Sequence, residues 1–282
     1  MLPGPADWPT WRPETWRDLS DALDRTTRWC WQGSPYGVMY RGQGSAAWPL
    51  LPSLTREFLR ANTSVAEAIR LEMHLFTYFN LQAHLKIDGS LLQPDTQGPV
   101  LGIWAVMQHY GSPTRLLDWT VSPFVALYFA TGGESVDGCI WVVNAGATDA
   151  EMRRKYANNR PLIESYTRVD ADPIIVFYYR ERPTDRMVAQ QGMFSVSTQV
   201  LSEHSRLIQQ ALSNGQYPDS HLKIVIPASL KPEIMWRLKM MNVTANSLFP
   251  GIDGLGRSCA ELLRSNLSPV QTGRGVHTAD SP

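Results

Sequence analysis

Gln108-His109-Tyr110-Gly111-Ser112-Pro113-Thr114-Arg115-Leu116-Leu117-Asp118-Trp119-Thr120-Val121-Ser122-Pro123, continued by Phe124-Val125-Ala126-Leu127-Tyr128-Phe129-Ala130, is the stretch on which the reading of this chain turns. Gly111 and Pro113 stop the helical pattern that precedes them. Ser122-Pro123 then starts a new helix, with Ser as N-cap and Pro at the first helical position, where its missing N–H costs nothing. The helix runs over residues 124–130 and is expected to end at Gly132-Gly133, since glycine readily takes a left-handed cap. Asp118, Trp119 and Thr120 therefore stand just before a helix N-terminus. That end carries free N–H groups and a partial positive charge, suited to an anionic ligand group. A plainer reading competes: Asp118 and Thr120 cap the helix, and Trp119 fills core.

Working outward, residues 38–41 (Val-Met-Tyr-Arg) form a short strand, broken by Gly42-Gln43-Gly44-Ser45. An arginine at a strand end, followed by glycines that permit close approach, can hold a phosphate or carboxylate by its fork of donors. Its plain alternative is an ion pair at the sheet end. Before this strand come an irregular lead-in, a short helix from Trp16, and a turn over residues 33–37. After it, residues 48–54 make a compact apolar turn. A long helix over residues 65–84 starts at Ser64, with Glu67 completing a capping box. Its apolar positions Ile69, Met73, Phe76, Phe79 and Ala83 follow helical spacing. A polar linker over residues 88–99 leads to a second helix over residues 100–109.

Downstream, strands are expected at residues 138–144, 174–178 and 221–226, and residues 188–196 read as loop then strand. A charged surface helix covers residues 149–159. Residues 199–219 read as a polar excursion, residues 230–241 as an amphipathic helix, and a last helix reaches about residue 264. Residues 266–282 should be disordered. Helices come first and mixed strands follow without βαβ alternation, which predicts an α+β fold: a small mixed sheet with a helical N-terminal half packed on it. The domains are a lead-in (1–27), one compact domain (28–265) and a tail (266–282).

Lys plus Arg and Asp plus Glu both number 26 in 282 residues, so no global charge draws nucleic acid or an anionic membrane. No stretch approaches the ~20 apolar residues of a membrane helix, and no signal peptide is evident. Cys30, Cys139 and Cys259 have no metal-ligand spacing and read as reduced core thiols of a cytoplasmic protein. No pair of His or Cys falls at ligand spacing, so no metal is expected.

Tyr40-Arg41-Gly42-Gln43, Trp48-Pro49-Leu50-x-Pro52-Ser53-Leu54-x-Arg56 and the quoted central block together resemble the FRG domain, a family named for a Phe-Arg-Gly near its start. Tyr40 replaces the Phe. Arg186-x-x-x-Gln190-Gln191-Gly192-x-Phe194 and Ser247-Leu248-Phe249-Pro250-Gly251-Ile252-Asp253-Gly254 also fit, so the resemblance spans roughly residues 28–264. A more distant layout is similar to ADP-ribosyltransferase folds. Arg41 stands for the first-strand Arg or His. The segment from Asp118 to Pro123 with its helix stands for the Ser-Thr-Ser-like element. Residues 186–194 stand for the third element, with Gln190 and Gln191 where those enzymes have Glu. A neutral amide can hydrogen-bond a ribose but supplies no charge to an oxocarbenium-like transition state.

Three hypotheses follow. In the first, the protein is an enzyme acting on NAD, transferring ADP-ribose to a protein or nucleic acid or hydrolysing the nicotinamide bond. Catalytic residues would be Arg41, Asp118, Thr120, His109 and Gln190, with Glu181 as another candidate acid. Gly42, Gln43, Tyr110, Arg115, Trp119, Ser122 and Gln191 would hold the ligand. A bacterial toxin or phage-defence role is implied only by the resemblance. In the second, the same cleft binds a nucleotide-like molecule or a nucleic-acid end without turnover. In the third, Arg41, Arg115, Asp118 and Arg186 form a structural ion network, though one Asp among three Arg leaves excess positive charge.

Overall fold

The computed structural model describes residues 6–31, 37–95, 98–132, 135–156, 163–213, 217 and 220–267. Most of the turn over residues 33–37, Gly133, the Cys30 side chain and the tail from residue 268 lie outside them.

The first half contains β1 (Thr10–Trp11), α1 (Trp16–Thr27), β2 (Val38–Gln43), α2 (Ser53–Arg60), α3 (Val65–Ala83), α4 (Pro99–His109), β3 (Leu116–Thr120) and α5 (Pro123–Ala130). The second half contains β4 (Gly138–Asn144), α6 (Ala145–Lys155), β5 (Ile175–Tyr178), α7 (Asp185–Ala189), β6 (Gly192–Ser197), α8 (His204–Leu212), β7 (His221–Ile226), α9 (Lys231–Met240), α10 (Ala245–Leu248) and α11 (Ile252–Leu267). One seven-stranded sheet runs β1-β7-β4-β2-β3-β6-β5. Its neighbours are antiparallel except for the parallel β1–β7 pair, so the fold is α+β with a mixed sheet.

Strand alternation sends side chains to two faces. On one, Met39, Leu117, Trp119 and Trp141 pack with α6 and α8 through Met152, Leu207 and Ile208. On the other, Tyr40, Ile140 and Ile224 meet α1, α5 and α9 through Leu19, Ala126 and Ile234. Beside them Leu116, Phe194 and Tyr178 meet α4 through residues such as Trp104. Each fully buried aliphatic or aromatic side chain contributes about 1.5–3 kcal/mol.

Several elements depart from the sequence reading. The lead-in holds β1, a strand of the common sheet, while the helix expected from Trp16 is present as α1, with Leu19 and Leu23 in the core. The apolar turn runs straight into α2. Asp118 and Thr120 belong to strand β3 rather than a polar loop, and Ser122 alone caps α5, accepting from Val125 N–H at 3.3 Å. The C-cap of α5 is Thr131, without a left-handed residue. Ser64 caps α3, but the Glu67 carboxylate turns to Arg70 at 2.6 Å instead of closing a capping box. The polar excursion contains α8, capped by the Glu203 carboxylate and burying Leu207, Ile208, Ala211 and Leu212. Its four apolar positions lie at helical spacing among polar neighbours, which hid them. Cys139 is a buried thiol, whereas Cys259 is exposed.

Helix α6 begins at Ala145, capped by Asn144 and earlier than expected, and is not a wholly exposed helix: Asp149 and Glu151 are buried. Burial pushes the Asp149 carboxyl up to about 6, against a backbone hydrogen bond from Phe177 and the charge of Arg153. One of its oxygens has no hydrogen-bond partner. A carboxyl raised on folding stabilises the protonated protein below its unfolded pKa, and that contribution is lost as pH rises through about 6. The loss amounts to about 3 kcal/mol at 1.36 kcal/mol per unit. Asp149→Asn is therefore expected to be more stable than the parent at pH 8, with little difference near pH 4. Urea unfolding at both pH values checks this; a parent whose stability is flat across pH 4 to 8 would contradict it.

Candidate functional site

The site begins where the sheet parts. Strand β2 matches β4 at six register positions, from Val38↔Asn144 to Gln43↔Cys139. With β3 it has a single register pair, Tyr40↔Thr120. Beyond that pair the Arg41 guanidinium enters the gap: Nη1 donates to the Asp118 carbonyl at 2.6 Å. The Asp118 carboxylate lies 3.8 Å from the same nitrogen, and the two side chains are 19% and 60% exposed. Arg41 Nε is buried with no hydrogen-bond partner. Burial lowers the Arg41 pKa, Asp118 opposes that, and the nearby Arg56 lowers it further. An arginine so perturbed still carries its charge, because its reference pKa is very high. Arg56, half-buried on α2, ties one nitrogen to the Leu51 carbonyl at 2.7 Å. The Arg41 guanidinium and one exposed carboxylate thus share the opening, and one buried donor is unspent.

The structure gives other expected site residues internal partners. Arg115, 1% exposed, is held by Glu72 through a two-point ion pair and donates to the carbonyls of Ser197, Thr198 and Tyr166. Its guanidinium also lies 5.0 Å from the Trp104 ring centroid. Its charge is neutralised in the core, so it is not a ligand group. Trp119, 2% exposed, packs in the core and donates to Ser195 Oγ at 2.7 Å; it offers no face to a ligand. Gln43 bridges Trp141 Nε1, accepted at 2.7 Å, and the Pro49 carbonyl. Thr120 Oγ1 donates to the Gln190 carbonyl at 2.8 Å and accepts from Ser122 N–H at 3.0 Å. Gln190 Nε2 donates to the Leu248 carbonyl at 3.1 Å. Gln191 takes φ +47° between α7 and β6, and its carbonyl accepts from Val121 N–H. The room left by Gly42 serves helix α5, not a ligand: a Cβ there would stand 1.8 Å from the Ala126 carbonyl oxygen.

The sequence reading missed a polar tie beneath Arg41. Ser195 Oγ lies 2.9 Å from His204 Nδ1. Since Ser195 already accepts from Trp119, its own proton is available to His204. Burial, then the charges of Arg41 and Arg115, push the His204 pKa down to about 3, which keeps the ring neutral. The spacing is that of a nucleophile and its base, but both residues are buried at 0% and 1% exposure. We read them as structural. Arg56 stood in a quoted motif without a role; in the structure its charge acts on Arg41 across the turn into α2.

His109 and Tyr110 lie elsewhere. They line a cleft of about 490 Å³ with residues 183–186 at the start of α7 and with Pro250 and Asp253 before and on α11. Arg41, Asp118 and Thr120 are not among its walls. His109 Nδ1 is 3.3 Å from Thr184 Oγ1. Burial and Arg186 lower the His109 pKa, against the carboxylates of Asp253 and Asp185.

Residues 37–138 match the model of the FRG domain. The chain carries an FRG domain. No curated protein and no solved structure matches the chain. The FRG match is shorter than the resemblance spanning residues 28–264. It includes β2, α2 to α5 and β3, and with them Arg41, Arg56, His109, Arg115 and Asp118. Gln190, Gln191, Arg186 and Asp253 come from beyond it. The two strands within the FRG match meet at one register pair and are otherwise held by β4 and β6. Among the described residues, no helix is long and apolar enough to cross a membrane.

Proposed function

We propose that the FRG domain of this chain binds a nucleotide-like anion at Arg41, with NAD as the first candidate, and that Asp118 takes part in breaking the nicotinamide bond. The observation that carries this reading is the buried, unpartnered Nε of Arg41, beside the exposed carboxylate of Asp118. A desolvated guanidinium with a free donor gains a charge-assisted hydrogen bond from a phosphate oxygen. Asp118, exposed and 3.8 Å from Arg41, supplies a negative charge of the kind that stabilises an oxocarbenium-like centre. The ADP-ribosyl group would then pass to water or to a protein or nucleic-acid acceptor. A cytoplasmic toxin or phage-defence setting belongs to the same reading.

A second reading, a binding module without turnover, is favoured by the internal hydrogen bonds of Thr120 and Gln190. Those bonds already occupy the Thr120 hydroxyl and the Gln190 amide nitrogen.

The test uses the purified full chain with NAD, with and without cell lysate. Free nicotinamide is followed by mass spectrometry and thermal unfolding is recorded in parallel. Release by the parent, lost in Asp118→Asn and lowered in Arg41→Gln, is the expected result. Arg41→Gln should weaken NAD affinity by about 10- to 100-fold, the effect of a charged hydrogen bond. Stabilisation without release selects the binding module. Neither release nor stabilisation overturns the NAD assignment.

A further inference from the structure

The cleft between the end of α4, the start of α7 and the start of α11 is a separate site. Its walls carry one cation, Arg186, and two anions, Asp185 and Asp253. Opposite charges so placed ordinarily close on one another. Among the described residues, none of the three has an ion-pair partner within 4.0 Å. Arg186 is held back by Phe249: its guanidinium lies 4.8 Å from the ring centroid, and the ring is buried. Asp253 is fixed on the first turn of α11, and Asp185 opens α7.

We infer that this cleft binds a small zwitterion, an α-amino acid with an apolar side chain, its carboxylate on Arg186 and its ammonium between Asp185 and Asp253. The remaining walls suit that ligand. Leu91, Pro183, Pro250 and the half-exposed ring of Tyr110 offer apolar surface. The volume of about 490 Å³ falls in the range of small-molecule sites. His109, kept neutral by burial and by Arg186, adds a hydrogen-bonding group without a competing charge. A phosphate ligand fits worse, because two carboxylates oppose it. The inference does not depend on the Arg41 reading.

The probe is L-phenylalanine, titrated into the full chain by isothermal calorimetry. Phenylalaninamide lacks the carboxylate and N-acetyl-L-phenylalanine lacks the ammonium. L-Phenylalanine is expected to bind, with each analogue at least about tenfold weaker, the effect of losing one charged contact. Asp253→Asn, at an exposed position, and Arg186→Gln should each weaken binding by a similar factor while thermal unfolding confirms the fold. No heat of binding at millimolar ligand, equal binding of the three compounds, or unchanged binding in Asp253→Asn would each overturn the assignment.

Discussion

Replacing Glu72 by alanine is expected to cost about 3–5 kcal/mol, the largest loss we anticipate from any charged residue of this chain. The cause is not the ion pair lost but the ion left behind. Arg115 is 1% exposed, and its partner Glu72 is 3% exposed. The carbonyls of Ser197, Thr198 and Tyr166 would remain, but none carries charge. Burial raises the Glu72 pKa, against the charge and hydrogen bonds of Arg115, which draw it down. At roughly 2–4 °C per kcal/mol for a chain of this size class, Tm should fall by about 6–20 °C. The double variant Glu72→Leu with Arg115→Met separates the causes. Removing both charges should restore much of the loss, since apolar replacements of a buried pair are often neutral. A double variant no more stable than Glu72→Ala would show instead that the hydrogen bonds of Arg115 to the chain are what matter.

Gly42→Ala is expected to be as damaging by a different route. The added Cβ would meet the Ala126 carbonyl oxygen at 1.8 Å and the Ala130 nitrogen at 2.7 Å. Both are backbone atoms of helix α5, so no side chain can move aside. The helix must lift from β2, and with it the packing of Ala126, Leu127 and Ala130 against Tyr40, Ile140 and Val142. Overpacking ordinarily costs about 1–3 kcal/mol, and a backbone clash belongs at or above the upper end. Urea unfolding of the alanine variant measures it. Gly132→Ala serves as the comparison, because a Cβ there meets nothing nearer than 3.3 Å. Equal stability of the two variants would refute the argument.

The sequence carried the elements with strong local signals. Ser122-Pro123 announced α5, and the run from Gly138 to Asn144 announced β4, buried along its whole length. The segment from Gln108 to Asp118 was dense in polar types because it spans three environments: a cleft wall at His109, a core ion pair at Arg115 and an opening at Asp118. Sequence proximity suggested one site. The extended geometry of β3 places alternate residues on opposite faces, so Trp119 entered the core while Asp118 remained at the opening. Arg41 was legible as a strand-end arginine. Glu72 opposite Arg115 was not, because a contact across tens of residues leaves no periodic trace. The buried status of α8 was equally hidden, since it depends on the β-sheet face above it.

The single register pair between β2 and β3 has a mechanical meaning. Four strands on one side and three on the other behave as two stiff plates joined along a narrow line. Besides that one backbone pairing, Arg41 stitches the line by reaching from the first plate to the Asp118 carbonyl of the second. Strand-to-strand pairing is sparser at this line than anywhere else in the sheet. A ligand seated on Arg41 would sit on that line and add a contact across it.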